Sequence, residues 1–217
     1  MCNAIWAFAF VGLFYKNLKG FYLVKTSTEE VPMNACVGIA FVTDDYSFHS
    51  AFKLAAECCE SAKKSAKEEK NLRNGFAGNW MDYHIAEGSS LQELDMMRER
   101  FYVTGEQLSL VCRPYCLDVE ATGQWNDYRL LMRRVSSLRK LSLTTDRKSM
   151  LIQSYMSGAR EFWHRIALLG RTDHDMVEML GEPLCKDNEG IEHAAWYDAM
   201  EVADLVLENR RECRCWV

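Results

Sequence analysis

The most regular pattern of hydrophobic and polar positions runs from residue 34 to residue 85. Residues 35–42 are all apolar or small, which is typical of a buried β-strand. From His49 to Lys70 apolar positions recur at steps of three and four between lysines and glutamates, which predicts an amphipathic helix. The apolar positions of this helix are Phe52, Ala55, Ala56, Cys59, Ala62 and Ala66. Residues 81–85 predict a second strand, so the helix is expected to cover one face of a sheet.

An apolar segment precedes this strand–helix–strand unit. Residues 2–15 carry no charge, and the segment ends at Lys16, well short of the roughly 20 apolar residues of a membrane-spanning helix. It also lacks the basic region and cleavage site of a signal peptide. We therefore expect a buried helix or strand of the same domain. Residues 20–25 predict a further strand, and residues 26–34 predict a loop broken by Pro32.

The chain after the unit is predicted to be mainly helical. Ser90 and Glu93 form a capping box at the start of a helix over 91–101. Residues 107–112 predict a strand that ends at Arg113-Pro114, because proline donates no hydrogen bond to a ladder. From Thr122 onward the helical periodicity predicts a small bundle. Its first helix is expected over 125–141. A second is expected to start from a cap at Thr145 or Asp146 and to be interrupted at Gly158, after which the helical pattern continues. Further helices are expected over 173–180 and over 192–207.

Composition and charge fit a globular protein. Of the 217 residues, 48% are hydrophobic and 26% charged, and a net charge of −5 gives no overall attraction for nucleic acid. Nine scattered cysteines, an odd number, argue against a disulfide framework and indicate a reducing compartment. Cys112 with Cys116 and Cys213 with Cys215 are candidate metal ligands, but neither pair has the spacing of a zinc site.

The lysine-rich helix carries the main candidate binding residues. Lys63, Lys67 and Lys70 follow at spacings of four and three, so they fall near one face of the helix. Ammonium groups in a row suit phosphate oxygens, although the glutamates among them fit a solvated, salt-bridged surface equally well. Gly38 permits close approach either of a ligand or of the helix to the strand.

Asp44-Asp45 and the pair Asp82 and His84 are weaker candidates for a functional site. Asp44-Asp45 fits a helix N-terminal cap, which we favour, or a pair of Mg²⁺ ligands. Alternation along the second strand places Asp82 and His84 on one face, with Tyr83 on the other. Nothing nearby in the sequence completes an acid–base or metal site, so we interpret Asp82 and His84 as structural. The sequence predicts no catalytic residue and no metal ligand.

Four motifs, in their order and spacing, carry a resemblance to a known family. They are Cys36-Val37-Gly38-Ile39-Ala40, the lysine-rich helix end over 61–71, Asp82-Tyr83-His84 and Arg113-Pro114-Tyr115-Cys116-Leu117. Together they resemble the second palm domain of the large polymerase and cyclase subunit of type III CRISPR effector complexes. The resemblance implies an α+β fold, in which a ferredoxin-like palm related to GGDEF and nucleotide cyclase domains precedes a helical bundle. In that family ATP is joined into cyclic oligoadenylate on two metal ions. The resemblance therefore implies nucleotide contacts at Gly38, Lys63, Lys67 and Lys70.

The chain departs from the family at its catalytic hairpin. The metal-binding carboxylates of the family lie in a Gly-Gly-Asp-Asp hairpin upstream of the strand that contains Gly38, and this sequence has no Gly-Gly pair. Asp44-Asp45 follows that strand instead. We therefore expect a partial palm over 1–117 and a helical domain over 118–217, inactive as an oligoadenylate synthase on its own. ATP with Mg²⁺ is expected only in the complete palm, and no cofactor is certain for this chain.

The resemblance also implies partners and a location. The expected partners are the upstream half of the large subunit or other effector subunits, with guide RNA contacted indirectly and no membrane involved. The expected location is the cytoplasm. The alternative is a free-standing α/β regulatory or interaction protein unrelated to CRISPR.

Overall fold

The computed structural model describes residues 2–26, 30–68, 77–86, 93–104, 108–118, 125–141, 144–170, 180, 182 and 184–205. A single turn of 3₁₀-helix, Ala4–Trp6, precedes the first α-helix. The α-helices are α1 (Ala7–Leu18), α2 (Phe48–Lys67), α3 (Leu94–Phe101), α4 (Tyr128–Lys140), α5 (Thr145–Met156), α6 (Ala159–Gly170) and α7 (Tyr197–Val202). The strands are β1 (Tyr22–Lys25), β2 (Glu30–Pro32), β3 (Cys36–Phe41), β4 (Trp80–Ile85), β5 (Tyr115–Cys116), β6 (Leu184–Lys186) and β7 (Glu192–Ala194). The predicted α+β class is confirmed.

The described residues form two compact units, and the chain passes between them more than once. The first unit holds the described residues up to Leu94, together with 113–118 and 204–205. The second unit holds those of 95–112 and 125–203.

A three-stranded sheet in the order β3-β4-β5 forms the centre of the first unit. β3 and β4 are parallel and in register from Cys36 opposite Trp80 to Phe41 opposite Ile85, while β5 is antiparallel to β4. The predicted strand–helix–strand unit is therefore present, with α2 connecting two adjacent parallel strands. On the other face of the sheet, Phe8 of α1 packs against Phe41 and Tyr83 with ring centroids 5.5 and 5.6 Å away.

The N-terminal segment forms a helix with one buried and one exposed face. Phe8, Val11, Gly12 and Tyr15 of α1 are buried, which agrees with the expected packing in this domain. Trp6, Phe10 and Leu13, in contrast, are more than half exposed. The expected loop over 26–34 is partly wrong, since β2 lies within it and pairs antiparallel with β1.

Arg113 and Tyr115 attach the segment that carries β5 to the sheet. The Arg113 guanidinium donates to the Tyr83 carbonyl oxygen at 2.9 Å and lies over the Tyr83 ring, 4.1 Å from its centroid. The Tyr115 ring is nearly parallel to that of Tyr83, at an angle of 7°. The peptide bond between Arg113 and Pro114 is cis. Arg113 and Tyr115 of the Arg-Pro-Tyr element thus both contact Tyr83 of β4.

Helices α4 to α7 and the β6–β7 hairpin make up most of the second unit. Asp127 caps α4 by accepting from the Arg129 backbone N–H at 2.9 Å. Thr144 caps α5, rather than the expected Thr145 or Asp146. Gly158, with φ +108°, separates α5 from α6 as predicted. Within α5 and α6 the rings of Tyr155 and Phe162 stack with centroids 3.5 Å apart.

Two element predictions in the second unit are wrong. Residues 108–112 form no strand, since their pairing is limited to isolated bridges of Ser109 with Val103 and with His193. The helix expected over 192–207 begins only at Tyr197, since Glu192–Ala194 pairs with β6 across a turn. The helix expected over 173–180 lies outside the described residues, apart from Leu180.

Candidate functional site

Gly38 lies where β3 and α2 approach most closely. A Cβ atom on residue 38 would lie 2.0 Å from the Ala55 carbonyl oxygen and 2.3 Å from the Cys59 backbone nitrogen. Real Cβ atoms do not approach other heavy atoms so closely, so any side chain at this position would displace the helix backbone. The glycine thus permits direct contact between helix and strand, which is one of the two interpretations of its role. Its part in nucleotide binding stays a prediction.

The buried face of α2 is shifted from the one predicted. Ala51, Leu54, Cys58, Ala62 and Ala66 are buried, at steps of three and four. Phe52, which was expected on the apolar face, is 67% exposed. Where α2 comes closest to β3, it presents the backbone of Ala55 and Cys59 to Gly38. At the end of the helix, Ala62 and Ala66 pack against Trp80 of β4.

Lys63 and Lys67 lie beside this buried face, near the start of β3. The Lys63 ammonium donates to the Glu60 carboxylate at 2.6 Å, and this hydrogen bond raises the pKa of Lys63 and lowers that of Glu60. Lys63 and Lys67 are four residues apart on α2, so they lie on one side of the helix end, and both act to lower the pKa of the Cys36 thiol. Lys67 also occupies the last helical turn, where a positive charge complements the helix dipole. Lys70 lies outside the described residues.

A polar network that the sequence did not predict lies at the start of β3 and β4. The Tyr15 hydroxyl donates to the Ala35 carbonyl oxygen, and the Ala35 N–H donates to the Asn79 side chain at 2.9 Å. Asn79 donates from its backbone and its side chain to the two carboxylate oxygens of Asp118, at 2.8 and 2.7 Å. Burial raises the pKa of Tyr15, helped by the nearby acidic groups, so its phenol stays protonated at neutral pH.

One sequence signal could have pointed to this network. Asn34 lies two residues before β3 and Asn79 directly before β4, so an asparagine precedes each of the two parallel strands. The Asn34 side chain donates to the Ala77 carbonyl oxygen, and the Asn79 side chain accepts from the Ala35 backbone N–H. Asparagine side chains often form such hydrogen bonds to backbone groups at the ends of regular elements. Nothing in the sequence pointed to Asp118.

The acidic candidates, Asp44-Asp45 and Asp82, form local hydrogen bonds. Asp44 and Asp45 lie in a turn, and α2 starts after Ser47 with no acidic residue in its first turn, so the favoured helix-cap interpretation is wrong. Instead, a hydrogen bond from the Thr43 side chain lowers the pKa of Asp45. Asp82 and His84 are buried on the face of β4 that α2 covers, since Asp82 pairs with Gly38. Asp82 accepts from the Tyr83 backbone N–H at 2.7 Å.

The cysteines supply no metal site in the described residues. Among these residues, no three His, Cys, Asp or Glu side chains form a group that could hold a metal ion. The Cys112 sulfur lies 3.6 Å from that of Cys185, and the Cys116 sulfur lies 4.0 Å from an Asp118 carboxylate oxygen. Burial raises the pKa of Cys36, which keeps this thiol protonated and weakly reactive. Cys213 and Cys215 lie outside the described residues.

Taken together, the end of α2 offers ammonium groups for an anionic ligand, and the described residues include no group of His, Cys, Asp and Glu side chains suited to a metal ion. None of the helices that the structure describes has the length and apolar character needed to cross a bilayer. No protein-family model matches the chain, and no curated protein shows significant sequence similarity to it.

Proposed function

We propose that this chain is a C-terminal part of the large subunit of a type III CRISPR effector complex and acts in antiviral defence. It contributes half of a nucleotide-binding site and contacts to other subunits. The observation that carries the proposal is the strand–helix–strand unit, in which Gly38 contacts the helix backbone and two lysines lie together at the helix end. The Arg-Pro-Tyr element held on Tyr83 of the same sheet adds support.

The half-site binds triphosphate through its lysines. Lys63, Lys67 and Lys70 supply the ammonium groups, which suit phosphate oxygens, while the backbone at Gly38 lies beside the nucleotide. Lys63 exchanges its Glu60 carboxylate for phosphate when the ligand binds, because this pair is exposed and held weakly. ATP bound here with Mg²⁺ would supply the adenylyl group in the complete palm.

The chain on its own lacks the metal-binding half. Asp44 and Asp45 lie before the first turn of α2 and Lys63 in its fifth, so the two sets are about 25 Å apart at 1.5 Å per residue. The two aspartates therefore do not hold a metal ion for a triphosphate bound at Lys63 and Lys67. The carboxylates must come from the upstream half of the subunit, and the isolated chain converts no ATP.

Two surfaces of the first unit suit contact with that upstream half. Among the described residues β3 pairs only with β4, so its other edge is open for addition of a strand. The outward side of the 3₁₀ turn and α1 exposes Trp6, Phe10 and Leu13, with 55%, 66% and 57% of their surface accessible. Clustered exposed apolar side chains of this size mark a protein contact surface. Guide RNA is reached only indirectly, through the other cytoplasmic effector subunits.

A free-standing regulatory or interaction protein unrelated to CRISPR is the second candidate. It is favoured by the Lys63–Glu60 ion pair and by the position of Lys67 at the helix C-terminus, since both lysines then have ordinary structural roles. In that case the exposed apolar face of α1 binds a different partner.

Native purification followed by size-exclusion chromatography and mass spectrometry distinguishes the two candidates. Co-elution with RNA and several effector subunits is the expected result. A lone monomer or homodimer free of RNA would contradict the effector proposal and favour the second candidate.

ATP binding tests the half-site itself. We expect the purified chain to bind ATP weakly, and we expect Lys67→Glu to abolish this binding and Lys64→Glu to preserve it. The two variants are matched, since both change the charge equally in the same helical turn. Equal loss in both variants would show unspecific electrostatic attraction instead. Formation of linear or cyclic oligoadenylate by the chain alone, with Mg²⁺ or Mn²⁺, would disprove its inactivity.

A further inference from the structure

Two cysteines of the second unit, far apart in sequence, lie with their sulfur atoms in contact. The Sγ atoms of Cys112 and Cys185 are 3.6 Å apart, although 73 positions separate the two residues. A disulfide needs about 2.05 Å between its sulfur atoms. A closure of about 1.5 Å would therefore join the two, which small side-chain rotations can supply.

The backbone around both cysteines is held by the same short strand. Cys185 in β6 pairs with His193 of β7, and its sulfur lies 3.8 Å from the His193 carbonyl oxygen. The Cys112 sulfur lies 3.8 Å from the carbonyl oxygen of Ala194, the next residue of β7. In addition, the Cys112 backbone N–H donates to the Asp198 carboxylate at 2.8 Å. The short distance between the sulfurs is thus fixed by three hydrogen-bonded segments.

The two thiols differ in exposure and in charge. Cys112 is fully buried, and the Cys185 thiol together with burial raises its pKa. Cys185 is partly exposed, and its pKa is lowered by the hydrogen bond from the Cys112 thiol and by the nearby Arg134 guanidinium. Nη1 of Arg134 has no hydrogen-bond partner among the described residues, so it has donor capacity for a sulfur anion. Cys185 is therefore the more readily ionised thiol of the pair, and hence the better nucleophile, whereas Cys112 favours the neutral form.

We propose that Cys112 and Cys185 form a reversible disulfide when the protein meets a hydroperoxide. The Cys185 thiolate attacks one oxygen of the peroxide, the O–O bond breaks, and the leaving oxygen takes a proton to become water or an alcohol. This gives a sulfenic acid on Cys185. The Cys112 sulfur then attacks Cys185, the S–O bond breaks, and the hydroxyl leaves as water with the Cys112 proton. The two sulfurs together supply the two electrons that reduce the peroxide.

The disulfide would covalently join residues 108–112 to the β6–β7 hairpin. A dithiol reductant reverses the reaction by thiol–disulfide exchange. The proposal concerns the second unit alone and is independent of the nucleotide half-site.

Peptide mapping after oxidation tests the proposal. The reduced full-length chain is treated with an equimolar amount of hydrogen peroxide, blocked with an alkylating reagent and digested with trypsin. We expect residues 101–129 to be linked to residues 172–186, with fragment ions assigning the bond to Cys112 rather than Cys116. The intact protein should lose two hydrogen atoms in mass and regain them with a dithiol. Cys185→Ser should abolish the link, whereas Cys36→Ser and Cys59→Ser should leave it unchanged.

Two results would overturn the proposal. One is a reduced Cys112–Cys185 pair after other thiols of the chain have been oxidised. The other is a mixture of disulfides in which this pair is no more frequent than the rest.

The role of Arg134 has its own test. Arg134→Gln should slow disulfide formation roughly tenfold by lowering the thiolate fraction of Cys185. The matched change Arg133→Gln, at an exposed neighbour on the same helix, should have no effect. Arg134→Lys keeps the charge and should restore most of the rate, which separates electrostatics from packing. Equal rates in Arg134→Gln and the wild type would remove Arg134 from the proposal.

Discussion

The carbonyl oxygen of Ala55 occupies the space in which a side chain on residue 38 would begin. A Cβ atom there would lie 2.0 Å from it. Backbone atoms of a helix cannot rotate away as the end of a flexible side chain can. The contact between β3 and α2 therefore depends on the absence of a single carbon atom.

We expect Gly38→Ala to destabilise the protein by about 3 kcal/mol, because overpacking against backbone forces strand and helix apart. Urea unfolding followed by circular dichroism measures this change. Gly190→Ala is the comparison, since Gly190 has φ +86° but open space around its Cα. Its cost should be only about 1 kcal/mol, from backbone strain alone. A Gly38→Ala variant as stable as the wild type would show that α2 does not pack this closely.

Leu54 and Phe52 test which face of α2 is buried. Leu54 is 5% exposed and Phe52 is 67% exposed. Leu54→Ala should therefore cost about 2–5 kcal/mol through the cavity it leaves. Phe52→Ala should change stability by no more than about 0.5 kcal/mol. A larger loss of stability in Phe52→Ala than in Leu54→Ala, measured by chemical unfolding, would show that the face predicted from the sequence is the buried one.

Asp118 should contribute more to folding stability than an ordinary surface carboxylate does. It accepts two hydrogen bonds from Asn79, and its replacement by alanine leaves those donors without an acceptor. We expect Asp118→Ala to cost about 1–3 kcal/mol. Asp118→Asn keeps one acceptor oxygen and should cost less. Thermal or urea unfolding of the two variants measures the difference, and equal losses would mean that Asp118 acts through its charge.

Asp187, in the turn between β6 and β7, should make the stability of the second unit depend on pH. Burial would raise the pKa of Asp187, but hydrogen bonds from the backbone N–H groups of Ile191 and Glu189, together with His193, lower it. A carboxyl whose pKa is lower in the folded state stabilises the fold above its unfolded value of about 3.9. This contribution is lost as the pH falls through the folded pKa.

The Asp187→Asn variant isolates that contribution. At pH 7 we expect it to be less stable than the wild type by about 1 kcal/mol. The difference should shrink as the pH falls below about 4, where the wild-type carboxyl becomes protonated. Unfolding curves recorded between pH 3 and pH 7 provide the measurement. A gap independent of pH would assign the effect to hydrogen-bond geometry instead of charge.

The centre of the first unit was predictable because its signals are local. Residues 35–42 and the three- and four-residue periodicity of the helix place β3 and α2 to within a few positions. The orientation of α2 was not predictable from periodicity alone. Phe52 is larger and more hydrophobic than the alanines of α2, yet the helix buries Ala51, Ala62 and Ala66 and approaches β3 closely at Gly38.

The failures in the second unit have a different cause. Residues 192–194 carry alanine and glutamate, which favour helix, but they pair with β6 and with Ser109. These partners are distant in sequence, and tertiary pairing outweighs a weak local preference. The same holds for Cys112 and Cys185, whose contact depends on β7 lying beside both. The lysines of the candidate site were visible in the sequence, whereas the Asn79–Asp118 pair was not, because its members lie 39 positions apart.

The pairing of Ser109 with β7 also has a consequence for synthesis on the ribosome. β3, α2 and β4 follow one another within residues 36–85, so their shared core can form as soon as they emerge. Ser109 also bridges Val103, but its bonds to Glu192 and Ala194, and that of Cys112 to Asp198, must wait for those residues. At 5–20 residues per second, that wait is roughly 5–20 s. During translation the first core is therefore complete while the second still lacks its closing strand.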